Sequence, residues 1–149
     1  MNLLTGFNHV ALITADLDRL TSFYRDVFEA EVIDLADDAP FRHAMVLVGP
    51  GSGLHAFELG DHPDATGRAE MFGRGHLDHV GLDAPTEEAF HELRRRLVEH
   101  GASDGAITDF GPLLSVWFED PDGMGCEVCW LRDPSLQGAH GPQPYAAAS

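Results

Sequence analysis

Two histidines and two glutamates recur in this chain at nearly constant spacing. The segment Asn8-His9-Val10-Ala11-Leu12 returns in altered form as Asp78-His79-Val80-Gly81-Leu82. Phe57-Glu58-Leu59 is echoed by Cys126-Glu127-Val128, and almost the same length of chain separates the two glutamates as separates the two histidines. Imidazole nitrogen and carboxylate oxygen together suit a divalent transition metal such as Zn, Ni, Co, Mn or Fe. A surface carboxylate has no physical reason to repeat, so the repetition makes His9, Glu58, His79 and Glu127 the candidate ligands of one metal ion.

Other readings of nearby residues compete with this one. His55 rivals Glu58 as a ligand type, but in a strand it faces the side opposite to Glu58. The reading therefore keeps Glu58. His43, His62, His76, His91, His100 and His140 have no repeated counterpart and are expected to be structural or exposed. Cys126 and Cys129 form a C-x-x-C, yet a structural zinc site of this type needs a second pair, and the chain has no other cysteine. Three apart in a strand, they point to opposite faces and read as packed small residues.

The elements that must position the candidates follow the same order twice. In each copy an apolar strand around the histidine leads into a helix. Asp16 can cap the first, with Leu17, Leu20, Phe23, Tyr24, Val27 and Phe28 at helical spacing. Thr86 can cap the second, Glu87 and Glu88 suit its positive end, Ala89, Phe90, Leu93 and Leu97 form its stripe, and Gly101 stops it. Extended pieces are expected at 31–35, 44–48 and 54–59, then at 106–109, 114–119 and 125–131, with turns at 49–53 and at Asp120-Pro121-Asp122-Gly123. The class is α+β: two β-α-β-β-β modules in tandem, at 1–61 and 76–132, able to form a cupped mixed sheet. A linker occupies 62–75, and 133–149 reads as a mobile tail.

Composition narrows the function. The 149 residues allow one domain or two small modules. A formal net charge of −16 repels a phosphate backbone and an anionic membrane surface, so neither nucleic acid nor membrane is an expected partner. No apolar run approaches the ~18 to 20 residues of a membrane span. The N-terminus does not read as a secretory signal, so the expected location is cytoplasmic.

Taken together, His9 to Leu12 with Leu20 to Phe28 (LTSFYRDVF), Leu54 to Leu59 (LHAFEL), Leu77 to Leu82 (LDHVGL) and Phe118 to Val128 (FEDPDGMGCEV) resemble the vicinal-oxygen-chelate superfamily of glyoxalases, bleomycin resistance proteins and extradiol dioxygenases. The resemblance spans roughly residues 7 to 131 and implies the glyoxalase/dioxygenase fold around one metal. It places ligands on the first and last strands of the modules, at His9, Glu58, His79 and Glu127. It also implies a small-molecule substrate and a homodimer.

By analogy with isomerases of that superfamily, four ligands imply isomerase or lyase chemistry, in which the metal stabilises an enediolate and Glu58 or Glu127 abstracts the proton beside a carbonyl. A His, His, Glu trio on Fe(II) would instead suit a ring-cleaving dioxygenase, with His43 as its acid–base. A protein that sequesters a drug or metabolite without chemistry is the third reading. Trp117 and Phe110 are the candidate substrate contacts in each case.

Overall fold

The computed structural model describes residues 3, 6–35, 41–63, 65, 67, 72–73, 77–133, 135 and 142–145. His76 and His140 lie outside the described residues, as do most of the stretch read as a linker and most of the C-terminal tail. The chain divides into two compact units, Met1–Gly67 and Arg68–Ser149.

In the first unit the order is β1 (His9–Thr14), α1 (Leu17–Phe28), β2 (Glu31–Asp34), β3 (His43–Gly49) and β4 (Ser52–Glu58). The Asp16 side chain accepts from the Arg19 N–H at 2.9 Å, capping α1 as its position before the apolar stripe requires. Glu29 ends the helix in the left-handed conformation, a common way for a helix to stop. Leu17, Leu20, Tyr24 and Val27 are buried on one helical face. They pack over Ala44 and Val46 of β3 and Leu54 and Ala56 of β4, which strand alternation points to the same side. The sheet runs β1-β4-β3-β2, with β1 parallel to β4 and the remaining pairs antiparallel.

The second unit repeats the plan with β5 (Val80–Asp83), α2 (Glu87–Glu99), β6 (Ile107–Asp109), β7 (Leu113–Glu119) and β8 (Gly125–Leu131). Thr86 Oγ1 accepts from the Ala89 N–H at 3.2 Å, the capping bond expected of a threonine at this place. Phe90 and Leu97 of α2 are wholly buried, as are Leu114, Val116 and Phe118 of β7, with Cys126 and Val128 of β8 nearly so. β5 lies parallel beside β8, as β1 lies beside β4. The chain is thus α+β, with two β-α-β-β-β modules in tandem.

The sheet of the second unit has one strand more than the first. Part of the segment read as a mobile tail forms β9 (Gln143–Pro144), an antiparallel edge strand on β6. The Tyr145 N–H donates to the Ile107 carbonyl at 3.0 Å and continues the pairing. Among the described residues no helix is long and apolar enough to cross a membrane.

Candidate metal centre

Each sheet has one face under its helix and one face free of it, and the free faces carry the donors. On β1, alternation turns His9, Ala11 and Ile13 away from α1, and all three are exposed. Asn8 Oδ1 lies 2.8 Å from His9 Nδ1. A carbonyl oxygen can only accept, so Nδ1 carries the hydrogen and Nε2 is the ring nitrogen left to meet another partner. The second unit has the same arrangement: Asp78 Oδ2 lies 2.8 Å from His79 Nδ1. The other Asp78 oxygen accepts from the Phe72 N–H, which fixes the carboxylate in turn. Imidazoles held this way through Nδ1 are set to donate from Nε2, the usual state of a metal-ligating histidine.

Strand register identifies what stands beside each histidine. In the second unit Gly81 pairs with Glu127. Glu127 points to the free face, and its Oε1 lies 3.7 Å from His79 Nε2. A Cβ at Gly81 would sit 3.4 Å from that same oxygen, so the carboxylate lies directly against this position of β5. Ser115 donates its hydroxyl to Glu127 Oε2 at 2.5 Å. Trp117 is the register partner of Glu127 on β7, and its ring centre is 5.3 Å from that of His79.

In the first unit Ala11, the counterpart of Gly81, pairs with His55. The His9 and His55 ring centres are 5.7 Å apart. His55 Nε2 lies 3.0 Å from His43 Nδ1, and both rings lie against Phe57. Burial lowers the His55 pKa, and the neighbouring His43 and His9 lower it further, because each disfavours a charged ring.

The structure does not bring Glu58 to His9. Glu58 shares a face with the buried Leu54 and Ala56, on the helix side of β4. Its Oε2 accepts from the Leu17 N–H at 2.8 Å and faces Arg42 Nη1 at 3.4 Å. Arg42 also binds Asp18 at 2.6 Å. Glu58 thus satisfies one of the open N–H groups in the first turn of α1, where negative charge is favoured.

Phe110 sits in the turn between β6 and β7, its N–H donating to the Leu113 carbonyl. Leu113 opens β7, whereas Trp117 lies towards the other end of that strand. Phe110 is therefore not grouped with Trp117 and Glu127. Cys129 follows Glu127 on the free face, and burial, then the Glu127 charge, push its thiol up to about 12. A thiol so disposed is a poor metal ligand or nucleophile.

The donor chemistry fits a divalent metal. Two imidazoles leave Nε2 unclaimed by the Asx side chain at Nδ1, and a carboxylate oxygen stands beside one of them. The donors stand as pairs within units, and among the described residues no three His, Cys, Asp or Glu side chains are grouped closely enough to hold a metal ion.

A model of the glyoxalase/bleomycin resistance protein/dioxygenase superfamily matches residues 6–128. The chain belongs to this superfamily. It is 27% identical over 127 residues to the mitochondrial methylmalonyl-CoA epimerase of Mus musculus, covering 81% of this chain and 70% of that one. Among solved structures it is similar to a glyoxylase/bleomycin resistance protein/dioxygenase domain from Frankia sp. EAN1pec, with a TM-score of 0.69, 22% identity and coverage of 87% and 99% of the two chains. The fosfomycin resistance protein FosX of Listeria monocytogenes, solved with Mn(II) and sulfate, shares the fold at TM-score 0.60 and 21% identity, covering 86% of this chain and 93% of that one.

Two residues of the site escape the sequence reading. His55 yields there to Glu58, and Ser115 carries no signal of its own. Buried faces hold the clue to His55. Leu54 and Ala56 flank it as Cys126 and Val128 flank Glu127, so the true counterpart of Glu127 lies slightly earlier in the chain than Glu58.

Proposed function

We propose that this superfamily member is a metal-dependent enzyme acting on a small molecule with two neighbouring oxygens, by proton transfer of the isomerase or lyase kind. The donors assigned to metal are His79 and Glu127 in the second unit and His9 and His55 in the first, where His55 takes the place that the sequence reading assigns to Glu58. The observation that carries this reading is the matched pair of Asx–His contacts, which leave Nε2 of both histidines as donors. His55 takes part through the nitrogen that its bond to His43 leaves free. When bound, the divalent ion supplies a Lewis acid for the paired substrate oxygens.

The chain's own residues supply the rest. Glu127 is the one carboxylate among these donors, so Glu127 is the group that takes the proton from the carbon beside the carbonyl and returns it. Trp117, beside His79, walls the substrate on that side. The kinship with a methylmalonyl-CoA epimerase supports proton-transfer chemistry. The experiment is deuterium exchange from solvent into acyl thioesters and α-oxo compounds, run with metal-stripped and metal-loaded protein. Exchange in the loaded protein alone supports the reading, and its absence with every metal and substrate overturns it. A homodimer belongs to the same proposal, and light scattering tests it.

A second reading, ring cleavage by an Fe(II) dioxygenase, rests on His43. This residue lies on the free face and is hydrogen-bonded to His55, where an acid–base would serve a catechol. Oxygen uptake with catechols on anaerobically Fe(II)-loaded protein tests it.

A further inference from the structure

We propose that Ser115 is a positioning residue of the metal centre, holding Glu127 so that one chosen carboxylate oxygen is offered to the metal. The inference rests on the metal reading above and adds a residue to it. Ser115 is only 4% exposed, and its hydroxyl donates to Glu127 Oε2 at 2.5 Å. A hydroxyl has a single hydrogen to give, and a bond to a charged oxygen is among the strong ones. With Oε2 so held, the remaining oxygen is Oε1. That oxygen faces His79 Nε2 at 3.7 Å and lies against Gly81.

The first unit shows that this place on the third strand of the module has a job. Ser115 pairs in register with Cys129, two residues beyond Glu127. His43 pairs with Phe57, two residues beyond His55. Ser115 and His43 are therefore counterparts, and each makes the same diagonal hydrogen bond to the donor on the neighbouring strand. The residue types differ completely while the contact persists. A serine kept only to fill the sheet would not be matched by a histidine making the equivalent bond.

The test is calorimetric titration of metal-stripped full-length protein with Mn(II), for wild type, Ser115→Ala, Ser115→Thr, Glu127→Gln and the double variant Ser115→Ala/Glu127→Gln. Loss of an outer-shell partner weakens metal binding by about 10- to 100-fold, the fall expected for Ser115→Ala. Ser115→Thr restores binding, because it restores the hydroxyl. On the Glu127→Gln background Ser115→Ala costs little more, because the serine acts through that carboxylate. Wild-type affinity in Ser115→Ala overturns the proposal, and so does an equal loss on both backgrounds. A wild type that takes up no Mn(II) brings down the metal reading itself, and this proposal with it.

Discussion

His55 and Glu127 occupy the same place in their respective sheets. Each sits on the last strand of its β-α-β-β-β module, paired in parallel with a small residue two positions after the module's first histidine, Ala11 in one case and Gly81 in the other. Each faces away from the helix, and each is hydrogen-bonded diagonally to the neighbouring antiparallel strand, His55 to His43 and Glu127 to Ser115. The chemical duplication is therefore imperfect: one unit offers two imidazoles, the other an imidazole and a carboxylate. Under the proposed function, the proton-accepting group lies in the second unit alone.

Replacing Glu58 tests stability rather than catalysis. Its carboxylate accepts from the Leu17 N–H in the first turn of α1. Loss of such a cap costs about 1 kcal/mol. Glu58→Ala is expected to destabilise the fold by that amount in urea unfolding, while Glu58→Gln, which keeps an acceptor, loses less. Unchanged stability in Glu58→Ala would contradict the capping role.

Asp78 and Asn8 make the same contact with different charge. Asp78→Ala removes the acceptor at His79 Nδ1 and is expected to weaken metal binding by about 10- to 100-fold. Asp78→Asn keeps an acceptor of the kind that Asn8 already supplies to His9, so its loss is the smaller one. Titration with Mn(II) ranks the two, and equal losses would contradict the contact's role in fixing the tautomer.

A bulky side chain at Gly81 would crowd Glu127. A side chain there meets Glu127 Oε1 and the Cys129 sulfur, at 3.4 and 3.7 Å from Cβ. Gly81→Val is expected to weaken metal binding while leaving the thermal midpoint within a few degrees of wild type, since valine suits a strand. Full metal affinity in that variant would show that Glu127 does not need the space.

Cys129 gives a pH-dependence of known sign. Its thiol is pushed up to about 12, by burial first and by Glu127 second, from an ordinary value of 9.0. Between those values the folded chain holds a proton that the unfolded chain releases. This group's contribution to stability therefore falls as pH rises from about 9 towards 12. Cys129→Ala is expected to lessen the alkaline loss of stability. Iodoacetamide is expected to label Cys129 in native protein at mildly alkaline pH far more slowly than after unfolding, because the thiolate is the reactive form. Equal labelling rates would contradict the burial.

Much of the fold was legible because local physics dictates it. Asp16 and Thr86 cap where apolar helical spacing begins, and strand alternation sorts buried from free residues throughout β4, β7 and β8. The histidines could be matched because the residues around them, Val10 and Leu12 against Val80 and Leu82, repeat the same alternation. The glutamates misaligned for a physical reason. Phe57-Glu58-Leu59 resembles Cys126-Glu127-Val128 in letters, but in the first Phe57 is on the free face and in the second Cys126 is buried under the helix. Register between strands, which no single segment contains, decides such a case. β9 was illegible for a related reason, since a two-residue edge strand has no alternation to read.

The most direct measurement compares His55→Ala with Glu58→Ala in Mn(II) uptake by stripped protein, with the thermal midpoint followed in parallel. The expected result is near-stoichiometric metal in wild type and Glu58→Ala and a large loss in His55→Ala, with Glu58→Ala showing the lower midpoint of the two in the absence of metal. Metal lost from Glu58→Ala and retained by His55→Ala would contradict the assignment of His55 as the first unit's counterpart of Glu127.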